Sequence, residues 1–439
     1  TKYSDVANNA SKAYSVFAPS DVAMNNFFDN YWEKGGYESL DDVDDLAMKY
    51  MLNQFIYKDG IAFPDEITSG KVKNMYDMIF NFDPSKVTDK SMCVNGVFYG
   101  LNTIDTPILF ASVVGPAFRN KDCNYYLYML DGTGLITAYS SQDTKYVLLV
   151  PTNEQIESED IYLRTYADGS RLQQETEDGL VDVSSSVMRT IVNIHTATGV
   201  DGLKTNGTQV LATQTGFNYW YVKDGKITSS AAYNQILEPD NNVEPFSEFT
   251  EVKNGNDNWN NGRTYMYSGT ALFQAQEGDG LQHKLSVCND NRYVYYQFAQ
   301  LLQKADMVMS SNYIFGLAGA SHVIGFIPTN EAISTAIAAG QIPGMDATGT
   351  VTSSSKLRQY LLSYFIRDRE NALISYPYPG SAMKSSTYVT ASGKSLTYTD
   401  SGSSLSIMVD GKVANVISDY NFFPFAFDDG CFQLIDTVL

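Results

Sequence analysis

The sequence predicts an α+β fold made of three tandem copies of one unit, here called repeats 1 to 3. Three observations support this prediction. A short apolar run that ends at a proline occurs three times, each occurrence is followed by an amphipathic helical pattern, and each copy is closed by a glycine turn with an alternating strand. Because these features recur in one order, they indicate related domains that each contain strands and helices.

The first feature is a strand that stops at a proline. Its segments are "YSVFAPSDVAM" at 14–24, "YVLLVPTNEQI" at 146–156 and "VIGFIPTNEAI" at 323–333. Proline has no N–H for a ladder, so it ends the strand, and the Ser or Thr after it is suited to cap a helix. Ser20 and Asp21 could instead form a catalytic pair. Thr and Asn replace them in the other two repeats, which a cap tolerates and an acid catalyst does not.

The second feature is a helix with apolar residues at helical spacing. Its segments are "LAMKYMLNQFIY" at 46–57, "VMRTIVNIHTAT" at 187–198 and "LRQYLLSYFIRD" at 357–368. The acidic run "DDVDD" at 41–45 precedes the first of them. We expect these carboxylates to interact with the positive end of the helix dipole, with calcium binding as the alternative.

The third feature closes each repeat with a turn and a strand. Its segments are "VNGVFYGLNTIDTPIL" at 94–109, "NNGRTYMYSGTALF" at 260–273 and "DDGCFQLIDTVL" at 428–439. Apolar helical segments at 125–135 and 295–308 precede the second and third proline strands. The start at 1–13 is polar and lacks one, so we expect the N-terminal helix of repeat 1 to lie upstream of residue 1. The predicted domains are 1–117, 118–285 and 286–439.

Together these features resemble the fasciclin-like domain family. The residues that carry the resemblance are "YSVFAPSDVAM" in the first feature and "NGVFYGLNTID" or "DGCFQLIDTVL" in the third. The likeness covers nearly the whole chain in three copies, and it is strongest in repeat 3 and weaker at the end of repeat 2. It implies tandem domains in which a β-wedge or sandwich packs against several helices. It also implies a secreted or surface-anchored protein that acts in adhesion or matrix contact.

The family pattern has a histidine-like position near the end of the second feature, and only repeat 2 keeps a histidine there, His195. The sequence aligns it with Phe55 and Phe365 in the other repeats. Phenylalanine cannot transfer a proton, so we interpret His195 as a packing residue or a buried hydrogen-bonding group rather than a general base.

The sequence shows no residue set that indicates an enzyme, and an unrecognised hydrolase is the least favoured reading. Its three histidines form no HExxH or HxxxH pair, and there is no G-x-S-x-G elbow. "ASGKS" at 391–395 lacks the earlier glycine of a phosphate loop and is interpreted as a hairpin turn. "DGTGL" at 131–135 is interpreted as a helix end with a C-cap glycine. We therefore expect no catalytic residue, no cofactor and no metal site.

Charge and cysteine content limit the partners and the compartment. The net charge of −20 repels phosphate backbones and anionic lipid, so nucleic acid is not an expected partner. The four cysteines are far apart and are expected to be buried thiols, with one disulfide as the alternative. No apolar stretch is long enough to span a bilayer, and a signal peptide or lipid anchor would lie upstream of residue 1. Segments 9–11 and 206–208 would accept N-glycans in a eukaryotic secretory route.

Aromatic residues are the candidates for a ligand surface. In "FNYWYVKDGKI" at 217–227, the alternation places Trp220 on the face opposite three other aromatics, where we expect it to be exposed. Trp259 lies in the Asn/Gly-rich segment "NGNDNWNNGRTYMY" at 254–267, which also holds Tyr265. Exposed aromatics beside amides can stack on sugar rings, so Trp220, Trp259 and Tyr265 are the predicted binding residues. The alternatives are core packing for Trp220 and a partner contact for Trp259.

The favoured interpretation is a non-enzymatic, extracytoplasmic protein that mediates adhesion or binds an extracellular protein or glycan. The acidic, cysteine-poor composition fits a bacterial cell-surface protein, secreted or held as an outer-membrane lipoprotein, better than an animal matrix protein. The alternative is an accessory of a nutrient-uptake system that captures polysaccharide or peptide. The loop around Trp259 and the insert at 157–186 are the candidate sites for that role.

Overall fold

The structure, a computed structural model, describes residues 13–57, 60–79, 83–241, 244–276, 280–320, 322–368, 385–417 and 423–439. It confirms the predicted α+β class.

The α-helices are α1 (Asp21–Asn30), α2 (Asp45–Asn53), α3 (Pro64–Thr68), α4 (Gly115–Arg119), α5 (Asn124–Thr133), α6 (Leu135–Tyr139), α7 (Asn153–Glu157), α8 (Ser185–Ile194), α9 (Ser230–Asn234), α10 (Leu281–Val287), α11 (Tyr296–Lys304), α12 (Asn330–Ala338) and α13 (Ser354–Leu361). The strands are β1 (Tyr14–Pro19), β2 (Ile56–Tyr57), β3 (Val87–Cys93), β4 (Gly96–Leu101), β5 (Tyr146–Leu149), β6 (Ile161–Tyr166), β7 (Gly169–Thr176), β8 (Gly179–Asp182), β9 (Thr196–Thr198), β10 (Thr208–Ala212), β11 (Tyr219–Lys223), β12 (Lys226–Ser229), β13 (Ser247–Val252), β14 (Gly262–Tyr267), β15 (His322–Pro328), β16 (Phe365–Asp368), β17 (Ser386–Val389), β18 (Ser395–Asp400), β19 (Leu405–Val409), β20 (Lys412–Asn415), β21 (Phe425–Phe427) and β22 (Gly430–Ile435).

The chain divides into two compact units, each with its own hydrophobic core. Unit 1 contains Thr1–Gly202 and Thr250–Leu272, and unit 2 contains Leu203–Phe249 and Phe273–Leu439. Residues 203–249 come from the middle of the predicted second domain but belong to unit 2, where Tyr221 and Tyr233 are fully buried in the core. The division into domains at 1–117, 118–285 and 286–439 stays a prediction.

Each proline strand lies between the same two kinds of partner strand. β1, β5 and β15 pair antiparallel with β2, β9 and β16, and parallel with β4, β14 and β22. The antiparallel partner follows the helix of the second feature, and the parallel partner is the strand of the third feature. Three segments that are far apart in sequence are therefore adjacent in every repeat.

A glycine begins each parallel strand because two backbones approach closely there. Gly96, Gly262 and Gly430 lie opposite Tyr14, Tyr146 and Val323. A Cβ atom at these glycines would lie 1.9, 1.9 and 2.1 Å from the carbonyl oxygen of the facing residue. No side chain fits at such a distance, so the glycine of the third feature is a steric requirement of the pairing.

The hydroxyl after each proline caps a helix, as predicted. The side-chain oxygens of Ser20, Thr152 and Thr329 accept a hydrogen bond from the backbone N–H three residues later, at 3.2, 3.3 and 3.3 Å. These bonds satisfy one of the free N–H groups at the starts of α1, α7 and α12. We call the turn between each proline strand and the helix that follows it the corner. Because the Ser20 hydroxyl caps α1, the Ser20 and Asp21 pair has a structural role at the corner.

The asparagine after each threonine cap holds the start of the preceding helix. Asn153 Oδ1 accepts a hydrogen bond from the Tyr125 N–H at 3.0 Å, and Asn330 Oδ1 accepts one from the Gln297 N–H at 2.7 Å. Tyr125 and Gln297 are the second residues of α5 and α11. The corner therefore fixes the helix that precedes it, and Asp21 occupies the matching place in repeat 1.

The segments between the three features form further antiparallel strand pairs, and β6 to β8 and β17 to β20 are sheets of their own. β6 to β8 occupy the insert of repeat 2, β10 to β12 with the start of β13 lie in residues 203–249, and β17 to β20 lie in repeat 3.

Local turns agree with the sequence-based interpretation. The Asp-Gly dipeptide in "FNYWYVKDGKI" predicts a type I′ turn. Asp224 and Gly225 both have positive φ, 47° and 80°, which confirms this turn between β11 and β12. "ASGKS" is the turn between β17 and β18, and Gly134, with φ of 68°, caps the end of α5.

Replacing Gly430 by alanine is expected to destabilise unit 2, because the added carbon would lie 2.1 Å from the Val323 carbonyl oxygen. We expect Gly430→Ala to lower the free energy of unfolding by about 2 kcal/mol or more in urea titrations followed by circular dichroism. Gly216→Ala is the matched control in the same unit, because a Cβ atom there has no neighbour within 4 Å. Its effect should stay within about 0.5 kcal/mol, and equal losses for both variants would contradict the steric argument.

Candidate functional site

His195 lies at the end of α8 and is fully buried. Its Nδ1–H donates to the Ile191 carbonyl oxygen at 2.7 Å, so Nε2 accepts the hydrogen bond of the Tyr267 hydroxyl at 3.0 Å. Burial lowers the pKa of His195 to about 4, because the imidazolium would lose its hydration. The side chain is a neutral hydrogen-bonding bridge, which confirms the structural interpretation from the sequence.

Strand register corrects the alignment of His195 with Phe365. The antiparallel pairs that match between repeats are Val16 with Ile56, Leu148 with Thr196, and Gly325 with Phe365. The residue before the second member of each pair is Phe55, His195 or Tyr364. Tyr364 is therefore the repeat 3 counterpart of His195, and the alignment with Phe365 was wrong by one residue. Tyr364 and Phe365 are adjacent aromatic residues, and apolar spacing alone does not show which of them corresponds to His195.

Three different side chains fill this matching position. The Tyr364 hydroxyl accepts a hydrogen bond from the Leu439 N–H at 2.8 Å and lies 2.5 Å from the Tyr360 hydroxyl. Burial raises the pKa of Tyr364 well above its usual range. Phe55 is also buried but has no polar side-chain atom. Since only filling of space is common to the three residues, the position serves packing.

Trp220 is fully buried, so the prediction that it is exposed is wrong. It lies in β11 between Leu211 of β10 and Ser229 of β12. The next residue, Tyr221, is also fully buried, and its hydroxyl donates to the Pro424 carbonyl oxygen at 2.7 Å. Both faces of β11 are covered, whereas alternation indicates an exposed face only when one side of a sheet is solvated. Core packing, the alternative interpretation, is confirmed.

Trp259 is buried as well, with 2% of its surface exposed. Its Nε1–H donates to the Val252 carbonyl oxygen at 2.7 Å, and the Arg119 guanidinium lies 5.2 Å from the centroid of its ring. A Cβ atom at Gly115 would lie 2.4 Å from its Cζ3 atom. The ring occupies the space that Gly115 leaves open, and it is part of the core of unit 1. The expectation of an exposed Trp259 is therefore wrong.

The side-chain amide of Asn261, close to Trp259, binds backbone groups of the same unit. Asn261 is fully buried. Its Oδ1 accepts from the Val113 N–H at 2.9 Å, and its Nδ2 donates to the carbonyl oxygens of Tyr139 and Ser141 at 2.7 and 2.9 Å. An Asn/Gly-rich segment suggested a polar ligand surface, but Asn261 satisfies buried peptide groups that have no strand partner.

Tyr265 is 4% exposed and lies in β14 of unit 1. A Cβ atom at Gly202 would lie 2.6 Å from its hydroxyl oxygen. Trp259 and Tyr265 belong to unit 1 and Trp220 belongs to unit 2, and each of the three is buried where it lies. These residues offer no aromatic face for a sugar ring to stack on.

The acidic run at 41–45 acts at a helix start, as predicted. Asp44 Oδ1 accepts hydrogen bonds from the N–H groups of Leu46 and Ala47 at 2.8 and 3.3 Å and so caps α2. Asp42 forms an ion pair with Lys121 at 2.7 Å, which lowers the pKa of the Asp42 carboxyl. Across the described ranges, no group of three His, Cys, Asp or Glu residues is arranged to hold a metal ion.

The four cysteines are free thiols, and three of them are buried. Burial raises the pKa of Cys123 to about 12 and that of Cys288 to about 11, and it also raises the pKa of Cys431. Cys93 is exposed at the end of β3, so the expectation that all four thiols are buried is wrong for this residue. An edge strand leaves its last side chain open to water, which cysteine spacing does not reveal.

A shallow cavity opens beside Phe55 in repeat 1. Gln54, Asn74, Thr103 and Asp105 are the polar residues of its lining, and the other seven lining residues are apolar. Asn74 Nδ2 donates to Gln54 Oε1 at 2.7 Å, while Asn74 Oδ1 accepts the N–H groups of Tyr76 and Met78 at 2.9 and 3.1 Å. The amide of Asn74 thus holds the turn at 74–78, which gives it a structural role.

Comparison with known proteins gives a limited result. No family model matches the chain, and no curated protein matches it. Among the solved structures that match is a FAS1 domain pair from the insect cell adhesion molecule fasciclin I. That match covers 72% of this chain and 95% of the other at 13% identity, with a TM-score of 0.28. The resemblance to fasciclin-like domains therefore rests on the residues of the three repeats and not on this match.

The described part of the chain contains no helix that is both long enough and apolar enough to cross a membrane.

Acid is expected to weaken the protein through His195. Its pKa is about 4 when folded and about 6.5 when unfolded, so the unfolded chain binds the proton more tightly. The contribution of neutral His195 to the free energy of unfolding is complete above pH 6.5. It is lost as the pH falls towards 4, by about 3 kcal/mol in total. His195→Phe removes this titration, so urea titrations between pH 7 and pH 4 should show a smaller loss for the variant. Parallel curves for the two proteins would rule out the proposed linkage.

The fit between Gly115 and Trp259 can be tested by adding one methyl group. Gly115→Ala places a carbon against the rigid indole and 2.6 Å from the Phe110 carbonyl oxygen. We expect a loss of about 1–3 kcal/mol in urea unfolding and a red shift of tryptophan emission.

Gly132→Ala is the matched control for this test. It lies in a helix of the same unit, but its Cβ atom would meet only the flexible end of Met188. Its change in stability should stay within about 1 kcal/mol, because alanine also favours the helix. If Gly132→Ala were the more damaging variant, the assignment of Gly115 would be incorrect.

Proposed function

We propose that the chain is a non-enzymatic, extracytoplasmic protein that mediates adhesion or binds a partner at the cell surface. The observation that supports this most is the use of the repeated polar residues. Ser20, Thr152 and Thr329 cap helices, and Asn153 and Asn330 fasten helix starts. The hydroxyl residue that recurs in all three repeats thus caps the same corner three times, as expected of modules that present surface.

The chemistry of the buried groups supports the same proposal. His195 is neutral and is enclosed by Ile191 and Tyr267, so it has no access to a substrate. The buried thiols of Cys123 and Cys288 have raised pKa values, which makes them poor nucleophiles at neutral pH. The resemblance of the repeats to fasciclin-like domains points to adhesion as the class of function.

The proposed location is the cell surface of a bacterium, with the chain secreted or held by a lipid anchor. The composition supports this proposal, because a net charge of −20 with few cysteines suits an exported protein that depends on packed cores and not on disulfides. The acidic surface disfavours nucleic acid and anionic lipid as partners.

A role in polysaccharide uptake has weaker support. It depended on exposed aromatic residues, and Trp220, Trp259 and Tyr265 are buried. The insert at 157–186 forms the sheet of β6 to β8, in which Leu172 packs into the core of unit 1. A protein partner is therefore the favoured ligand class.

The proposal can be tested with beads that carry the purified full chain. We expect these beads to attach to cells of the source organism in a saturable manner and to be displaced by the soluble protein. Beads coated with an unrelated protein of similar negative charge are the control, since non-specific electrostatic effects would act on both. Protease treatment of the cells should abolish attachment, whereas loss only after glycosidase treatment would favour the glycan alternative. Attachment no greater than that of the control beads would reject adhesion.

A further inference from the structure

The side-chain amide of Gln54 has one hydrogen-bonding group that the fold does not use. Gln54 directly follows α2, is 4% exposed and lines the cavity beside Phe55. Its Oε1 accepts a hydrogen bond from Asn74 Nδ2 at 2.7 Å. Its Nε2 group is buried and has no hydrogen-bond partner within the described part of the chain. A buried glutamine of repeat 1 therefore carries free N–H donors.

The hydrogen bonds of Asn74 determine which end of the Gln54 amide is free. The backbone N–H groups of Tyr76 and Met78 can only donate, so the atom of Asn74 that faces them is Oδ1. Asn74 Nδ2 then faces Gln54 and needs an oxygen there. A flipped Gln54 amide would instead bring two NH2 groups together. The identity of Nε2 as the free group thus follows from two backbone N–H groups of the turn at 74–78.

The matching residues of the other two repeats have no free side-chain donor. The residue before the matching packing position is Gln54 in repeat 1, Ile194 in repeat 2 and Ser363 in repeat 3. The Ile194 side chain has no polar atom, and the Ser363 hydroxyl donates to the Tyr360 carbonyl oxygen. A buried donor without a partner lowers stability, and folded proteins normally pair such groups. Gln54 is therefore unfavourable for folding unless a group from outside the chain accepts its hydrogen bond.

The cavity that Gln54 lines gives such a group access. It lies in unit 1, where the ends of α2 and β4 meet the segment at 103–108. Ile79, another lining residue, is 51% exposed, so the cavity reaches the protein surface. Its volume is about 30 Å³. Since one water molecule needs about 10–15 Å³, the cavity takes one small polar group of a ligand or about two waters.

The polar lining matches both ends of an amide group. Gln54 supplies a donor, and Thr103 and Asp105 supply acceptors. Asp105 already forms an ion pair with Lys86 at 2.7 Å, so its charge does not require a cationic ligand. A neutral group with a carbonyl oxygen for Gln54 and an N–H for Thr103 or Asp105 is complementary to this lining.

The apolar lining favours a peptide over a sugar as the carrier of that amide. Seven lining residues are apolar, and Ile104, Pro107 and Ile108 among them are half-buried. A branched aliphatic side chain would bury methyl groups against these residues. A sugar ring would place hydroxyl groups there without hydrogen-bond partners, which is unfavourable.

We propose that this cavity, the Gln54 pocket, binds a backbone amide of a peptide next to a branched aliphatic side chain. The peptide carbonyl oxygen accepts a hydrogen bond from Gln54 Nε2, and the aliphatic side chain packs on Ile104 and Pro107. Asn74 is a positioning residue, because its bond to Gln54 Oε1 fixes the orientation of the amide. The inference rests on the lining of the pocket and does not depend on the adhesion proposal.

N-acetyl-leucine methylamide is a probe that carries both features of the ligand. Two-dimensional NMR of the full chain labelled with ¹⁵N-glutamine observes the side-chain amides, and Gln54→Glu identifies the Gln54 signals by their loss. We expect saturable shifts of these signals with a Kd of about 1–10 mM, as for a ligand of this size. Methyl N-acetylglucosaminide presents an amide on a sugar ring and should bind at least about fivefold more weakly.

Variants of the chain locate the site, with binding followed by saturation transfer to the probe. Gln54→Glu keeps an oxygen for Asn74 but replaces the free NH2 group by a second oxygen. It should weaken binding at least about tenfold above pH 7, because two acceptors would face each other. Ile79→Ser should weaken binding about three- to fivefold through loss of apolar contact. Leu180→Ser is its matched control and should bind normally, since both residues are 51% exposed and belong to unit 1.

Three results would overturn the proposal. The first is the absence of saturable shifts of the Gln54 signals, which would mean that only water occupies the pocket. The second is binding of the leucine probe to Gln54→Glu as tightly as to the wild-type protein. The third is equal or tighter binding of the sugar probe, which would assign the pocket to a glycan. If circular dichroism shows that Gln54→Glu is unfolded, equal binding by Ile79→Ser and Leu180→Ser overturns the proposal instead.

Discussion

The close contact between a glycine and a strand carbonyl is the constraint on which each repeat depends. At Gly96, Gly262 and Gly430, the closing strand approaches the proline strand so nearly that a Cβ atom is excluded. The same parallel pair ends at the corner, where the N–H of Ser20 donates to the Leu101 carbonyl oxygen. The strand pairing that begins at this glycine therefore positions the end of the proline strand, the capping residue and the start of the helix. The antiparallel strand on the other side brings Phe55, His195 or Tyr364 into the core, so the central packing position follows from the same pairing.

The sequence predicted those parts of the fold that depend on local chemistry. Proline stops, hydroxyl caps, the Asp224-Gly225 turn and the C-cap at Gly134 were all visible, because a short segment determines each of them. The location of residues 203–249 in unit 2 was not predicted, since it depends on contacts with residues about two hundred positions away. The exchange of Phe365 for Tyr364 came from a slip of one residue, which strand register reveals and apolar spacing does not.

The candidate site could be predicted only in part, for a related reason. The structural role of His195 followed from its replacement by an aromatic residue elsewhere. The burial of Trp220 and Trp259 did not follow from sequence, because the number of covered faces of a strand is a tertiary property. Loop composition was also misleading. Asn261 is the kind of residue that binds a ligand at a surface, yet it is fully buried and satisfies three peptide groups of unit 1.

The interleaved order of the two units sets the timing of folding during synthesis. The chain leaves unit 1 after Gly202, returns at Thr250 and leaves again after Leu272. Unit 1 is therefore incomplete until β14 has left the ribosome. Tyr221 is made about two hundred residues before Phe423, against which it stacks at 4.8 Å. At about 5–20 residues per second, the residues of β11 wait for roughly 10–40 seconds before their core exists. During that interval the aromatic side chains of β11 lack the C-terminal residues that bury them in the folded unit.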